Sequence, residues 1–203
     1  MKREDSQLFL ADVVVGARGW LHDSWTESFY PEDIPEDWRL GFYANEFNTL
    51  LVPWSQWSES VEDIKVGLDD TEEDFHLYLE LPMEHQALPV HLQDIRDSVT
   101  GLVYNGAELK KWQAEAASSN ISLFTTTSPN DDIFQRFVSS TEMEKAQLAL
   151  IQSSNIDDLA MMREQLEKAL QGVESRLDFI FIDATPDLEA MQNTRMIAEL
   201  MGA

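Results

Sequence analysis

An alternating α/β fold is predicted for this 203-residue chain, and three features carry the prediction. Short apolar runs recur at residues 10–16, 49–54, 75–81, 100–105, 121–126, 146–152 and 179–183. Each is nearly continuous in apolar character, the pattern of strands covered on both faces, which favours a parallel sheet. Helical patterns fall between the runs, so strands and helices alternate. The turn after the first run, "GARGW", supplies only Gly16 and Gly19 and puts bulky Trp20 where the helix of a dinucleotide-binding unit would begin. A closed (β/α) barrel and an open doubly wound sheet both remain. Barrels of about 200 residues lie near the lower size limit, so a barrel here would be trimmed.

The helices have credible ends. The clearest starts after Ser154 and Asn155, aligns Ile156, Leu159, Met162, Leu166, Ala169 and Val173 on one stripe, pairs Glu164 with Lys168, and closes near Gly172. Another takes Thr185 as its cap and Pro186 in its first turn, then runs through Ala190, Ile197 and Met201.

Composition bounds the function. With 43% hydrophobic residues, residues 1–203 suit one domain with a full core. The net charge of -24, from 14 basic and 38 acidic residues spread along the chain, repels phosphates. Nucleic-acid or anionic-membrane binding would need a local basic patch, and Lys110 and Lys111 beside Trp112 read better as a solvated helix face. The absence of cysteine excludes disulfides, thiolate zinc sites and cysteine nucleophiles, and fits a reducing compartment. The first residues make a poor signal peptide, and no apolar run is long enough to span a bilayer. A cytoplasmic protein is expected.

From Val13 to Pro31 the chain reads "VVVGARGWLHDSWTESFYP". Gly16, Gly19 and Trp20 are followed by Trp25, by Phe29, Tyr30 and Pro31, by Tyr43 and Ala44, and by Phe47, Asn48 and Thr49. In order and spacing this stretch, about a fifth of the chain, resembles the YecE-like family, known as domain of unknown function 72. "FIFIDATPDLEAMQNTRMIAEL" resembles that family's last strand and helix. The resemblance implies a TIM-like (β/α) barrel, trimmed, with about seven or eight mainly parallel strands.

The family resemblance also marks departures. Where the family carries a Glu at the end of its second strand this chain has Leu51, where it has a Lys after the third strand the match is Glu80, and an Asn after the last strand becomes Asp183. Near the positions of a late Arg and His stand Leu150, Gln152 and Ser153, and Thr125 and Thr126 match the fifth strand's charged residues. Barrel active sites are assembled at the carboxyl ends of strands, and Leu cannot exchange protons or bind a metal.

The loop after the first strand has two readings. Trp20, Trp25, Phe29 and Tyr30 serve as a plug adding buried area, or they line a pocket in which Arg18 receives an anion and Trp20 or Trp25 stacks on a ring or sugar. In the second reading Asn48 and Thr49 complete the hydrogen bonds, and His22 with Asp23 is the nearest acid-base pair. His22, His76, His85 and His91 form no HExxH motif. The paired acids Asp69–Asp70, Asp131–Asp132 and Asp157–Asp158 fit no calcium loop. No metal and no cofactor are expected.

These residues point to a degenerate, non-catalytic binding or interaction protein with an aromatic pocket at the end of strand one. Its partner would be a small anionic or sugar-like ligand or another protein, without nucleic acid or membrane. The ligand-binding candidates are Arg18, Trp20, His22, Trp25, Tyr30, Asn48, Thr49, Glu80 and Asp183. The alternative is a hydrolase or isomerase acting on a phosphorylated or sugar-like metabolite, with Arg18, His22, Asn48, Glu80 and Asp183 around the rim.

Overall fold

The seven apolar runs form strands, and an eighth strand closes them into a barrel. The computed structural model describes residues 11–72, 74–126, 134–139, 147–155 and 158–203. Its strands are β1 (Asp12–Arg18), β2 (Thr49–Val52), β3 (His76–Glu80), β4 (Val99–Tyr104), β5 (Leu123–Thr126), β6 (Phe134–Ser139), β7 (Gln147–Ile151) and β8 (Arg176–Phe181). They pair in sequence order, and β8 returns to β1. The helices are α1 (Arg39–Ala44), α2 (Trp54–Trp57), α3 (Glu62–Leu68), α4 (Leu109–Ser119), α5 (Leu159–Ala169) and α6 (Leu188–Met201). Among the described residues, no helix is long and apolar enough to cross a membrane.

The sheet is mixed, which corrects the expectation of a chiefly parallel barrel at one strand. Every ladder is parallel except the two made by β6, which runs against β5 and β7. β6 was not among the predicted strands because Gln135 and Arg136 interrupt its apolar pattern. Each residue has a use. Gln135 lies at the carboxyl end of the barrel opposite Leu150, and Arg136 reaches out to the carbonyls of Lys168, Ala169 and Gln171 at 2.7–2.9 Å. A cation there satisfies acceptors that the end of α5 leaves open.

Ladder pairing fixes which side chains face inward, because paired residues share a face and neighbours alternate. The inward set is polar at the amino end, apolar in the middle and polar again at the carboxyl end. Leu51, Tyr78, Val103, Phe124, Phe137, Leu148, Leu150 and Ile180 form the middle cluster. The outward residues, such as Leu50, Leu77, Leu102 and Phe179, belong to the larger core between barrel and helices. Gly101 leaves space for the Phe124 ring, whose atoms would lie 2.4 Å from an added Cβ.

The amino-end layer is held by one carboxylate. Asp178 is fully buried and accepts hydrogen bonds from His76 Nδ1 at 2.7 Å, Tyr78 Oη at 2.8 Å and Arg176 Nε at 3.0 Å. His76 and Tyr78 reach it from β3 on the other side of the barrel. Beside them Thr100 is the extra residue of a bulge in the β3–β4 ladder, and its hydroxyl accepts the Leu77 N–H at 3.1 Å.

The β1–β2 seam is built differently. Gly19 N–H donates to the Leu51 carbonyl as a parallel ladder requires. One step earlier the Tyr43 hydroxyl is inserted: it accepts the Ala17 N–H at 2.8 Å and donates to the Thr49 carbonyl at 2.8 Å. Burial pushes the Tyr43 hydroxyl pKa far above its ordinary value, so it remains a donor. The strands are also close here, since a Cβ on Gly16 would lie 1.9 Å from the Thr49 carbonyl oxygen.

Two helix caps differ from expectation. Asp158 caps α5 by accepting the Met161 N–H, and Asp187, not Thr185, caps α6 by accepting from Glu189 and Ala190. Either carboxylate satisfies open donors and complements the helix dipole. The Glu164–Lys168 pair forms at 2.7 Å. Ile156, Asp157, Asp131 and Asp132 lie outside the described residues.

Two outcomes follow from this packing. Gly16→Ala will lower unfolding stability by about 1–3 kcal/mol, as a methyl group cannot enter without parting β1 from β2. Asp178→Ala will lower it by about 3–5 kcal/mol, because Arg176 is left as an unpaired charge in the barrel. Urea denaturation followed by circular dichroism measures both.

Candidate functional site

The carboxyl end of the barrel opens into a cavity of about 570 Å³. Its walls are apolar, with Leu51, Val103, Phe137, Leu150 and Ile182 rising from the strands and Trp54 at the side. Its polar groups are Arg18, Glu80, Asn105, Gln135 and Ser55. Apolar walls with a few fixed polar groups are the usual form of a small-molecule site.

Local structure positions each of these groups. Arg18 ends β1 and Glu80 ends β3, and both Nε and Nη2 of Arg18 donate to Glu80 Oε2, at 3.0 and 2.5 Å. The two side chains are 36% and 32% exposed, so the pair is screened by water and contributes modestly to stability. Trp57 Nε1 donates to the Glu80 carbonyl at 2.9 Å and fixes the end of β3, while the Trp54 ring sits edge-on to Trp57 at 4.7 Å. Across the mouth, Asn105 Nδ2 donates to Gln135 Oε1 at 3.0 Å, joining β6 to the segment after β4.

Of the candidates read from the sequence, Arg18 and Glu80 meet at this cavity. Trp20, Trp25 and Tyr30 do not line it; they are buried in the core outside the barrel. The Tyr30 hydroxyl donates to the Trp20 carbonyl at 2.6 Å, Trp25 Nε1 donates to the Pro186 carbonyl at 3.1 Å, and Trp25 stacks on Tyr43 with the ring planes 9° apart. Phe29 packs edge-on against Trp25 and Phe42. The expected projection of Trp20 into the mouth is thereby corrected. Gly19, with φ of 79°, turns the chain away after Arg18.

Asn48 and Thr49 also fall elsewhere. Ladder register puts Leu51 beside Arg18, so Thr49 begins β2 at the amino end, fully buried with its hydroxyl donating to the His76 carbonyl. Asn48 lies in a groove with Glu46 and Arg195. Asp183 caps the turn after β7, accepting the Ser153 N–H at 2.7 Å. Arg18 pairs with Glu80 rather than with a local acid such as Asp23.

His22 packs at 4.4 Å against the Trp25 ring, and its Nε2 lies 3.2 Å from the Gly19 carbonyl. Burial lowers its pKa, outweighing hydrogen bonds to backbone that raise it. His85 and His91 are held by a Trp112 ring contact and by the Trp57 carbonyl. Among the described residues, no three His, Cys, Asp or Glu side chains gather as metal ligands. Sequence reasoning missed Trp54, Asn105 and Gln135. The Pro53–Trp54 pair directly after a strand was the available signal.

The structure is a closed α/β barrel with a polar-rimmed, apolar-walled cavity at the carboxyl ends of its strands, the face at which (β/α) barrel enzymes build their sites. No family model, no curated protein and no solved structure matches the chain.

The shift at His22 fixes a pH response. Its folded pKa lies below the ordinary 6.5, so the unfolded chain binds the proton more readily than the folded one. The contribution is present above about pH 6.5 and is lost as pH falls through the lower folded value. His22→Asn will therefore flatten the slope of stability against pH in that window, as read by urea melts at a series of pH values.

Proposed function

We propose that the chain is a small-molecule-binding barrel of the TIM-like kind, a divergent and trimmed YecE-like protein of the cytoplasm, whose carboxyl-end cavity holds a neutral sugar-like ligand without turning it over. The residues that carry the family resemblance support the first part. Trp25, Phe29, Tyr30, Tyr43 and Phe47 form one continuous ring cluster, the Trp20 carbonyl accepts from Tyr30, and Tyr43 bridges β1 and β2. A motif whose residues build a seam and its plug is a framework motif, and it is kept although the rim has changed.

The observation that carries the ligand reading is the compensated Arg18–Glu80 pair. With its charge matched, the mouth offers no uncommitted cation for an anionic ligand among the described residues. It offers planar polar groups, Arg18, Glu80, Asn105 and Gln135, that donate and accept in fixed directions, beside the Trp54 side chain. Hydroxyl-rich ligands use both features, hydrogen bonds at their edges and a ring against their apolar face. Glu80 is the one carboxylate lining the cavity among the described residues. Glycoside hydrolysis commonly uses two flanking carboxylates, and among the described lining residues the one carboxylate that could serve Ser55 as a base, Glu80, is paired with Arg18. Binding is the function this set of groups can perform.

Titration calorimetry against a panel of neutral mono- and disaccharides tests the reading. Saturable binding is expected for at least one of them, and Trp54→Ala should weaken it about tenfold, equivalent to about 1.4 kcal/mol. Binding that survives Trp54→Ala unchanged, or turnover of a glycoside or sugar phosphate abolished by Glu80→Gln, would overturn it.

A further inference from the structure

At the opposite end of the barrel we infer a second ligand site, one that takes a small carboxylate together with a proton, gripped between His76 and Arg176. It goes beyond the carboxyl-end reading and shares no residue with it. A cavity of about 620 Å³ opens there, lined by His76, Arg176, Thr100, Phe75, Leu68 and Val99 among others. The two basic groups lie side by side because they share one anchor: His76 Nδ1 is bound to Asp178 Oδ1 and Arg176 Nε to Asp178 Oδ2.

That anchor decides the state of the imidazole. The Asp178 carboxylate receives three donors and acts as an acceptor toward each, so the His76 proton resides on Nδ1. In the neutral ring Nε2 then carries the lone pair. The His76 side chain keeps 13% of its surface exposed at the cavity. Arg176 is held at Nε and by an Nη2 donation to Tyr78 Oη at 3.3 Å. Once Nε2 takes a proton, an imidazolium and a guanidinium face one space with fixed donors, a two-point arrangement for a carboxylate. Thr100 supplies a hydroxyl beside it, and Phe75, Leu68 and Val99 supply an apolar wall for the ligand's tail.

The protein's charge of -24 opposes a free anion, but a carboxylate arriving with a proton brings no net charge. Around His76 stand Asp178 and Arg176 from β8, Tyr78 on its own strand, exposed Glu72 before β3, Asp97 before β4 and Asp12 of β1 in register with Arg176. Asp97 is paired with Arg96 at 2.7 Å. A carboxylate seated here can accept from His76 Nε2 only when that nitrogen holds a proton, so binding is coupled to protonation at this nitrogen.

The test is a benzoate titration of the full chain with labelled histidine, followed by the ring ¹⁵N resonances at about pH 6 and about pH 8. The His76 signal, assigned with His76→Gln, should move on saturation, and the affinity should be roughly tenfold or more weaker at the higher pH. Folded His76→Gln should lose that pH dependence, and Thr100→Val should weaken binding while keeping it. A His76 resonance unmoved by benzoate in the parent protein, or equal affinity at both pH values, would overturn the inference whatever the variants do. Sugar binding at the carboxyl end is unaffected by either result.

Discussion

Asp178 has no exposed surface, and it is tolerated inside the barrel because His76, Tyr78 and Arg176 surround its two oxygens. A buried carboxylate without such partners would cost several kcal/mol, and removing any one donor leaves the others less well matched. The donors come from β3 and β8, which are not neighbours in the sheet. The network therefore works as a cross-brace over the amino end, fixing the distance between two walls that no backbone ladder joins. Above it, the Tyr78 ring becomes part of the apolar layer, edge-on to Phe124 at 5.2 Å. One side chain thus links the polar floor to the packed middle.

Closing eight strands in this length of chain depends on β6. A parallel step needs a crossover of about a dozen residues or more, usually with a helix. By turning β6 over, the chain passes from β5 to β6 and from β6 to β7 through residues 127–133 and 140–146. The same inversion delivers an early residue of the strand, Gln135, to the carboxyl-end mouth, where every parallel strand delivers a late one. Arg136, one position on, holds the end of α5. Two adjacent polar residues on one strand therefore serve opposite faces of the wall.

Much of this was legible in the sequence. The seven apolar runs mark seven strands because each is covered on both faces, and the spacing of the aromatic residues marks the plug. β6 was hidden because one of its faces is polar at the mouth and the other carries a guanidinium. The Asp178 network was hidden for another reason, since its members are about 100 residues apart in the chain. Its trace in the sequence is the pair Arg176 and Asp178 at alternate positions of an otherwise apolar strand. The mouth was half legible. Arg18 and Glu80 stand at strand ends, whereas Asn48 and Thr49 misled because register, not proximity in the motif, decides which end of β2 faces Arg18.

Tyr43 gives the plug a status different from that of an ordinary loop. Loops on barrel rims are commonly exchangeable parts, since the wall stands without them. Here the wall between β1 and β2 borrows a hydroxyl from α1, and α1 is held in place by the rings of Trp25, Phe29 and Phe47. The segment from Gly19 to Phe47 is consequently not a module that can be grafted or replaced, because it is a course of masonry in the wall itself. The segments after β2, β3 and β4 stand in contrast, bringing Trp54, Met83 and Asn105 to the mouth.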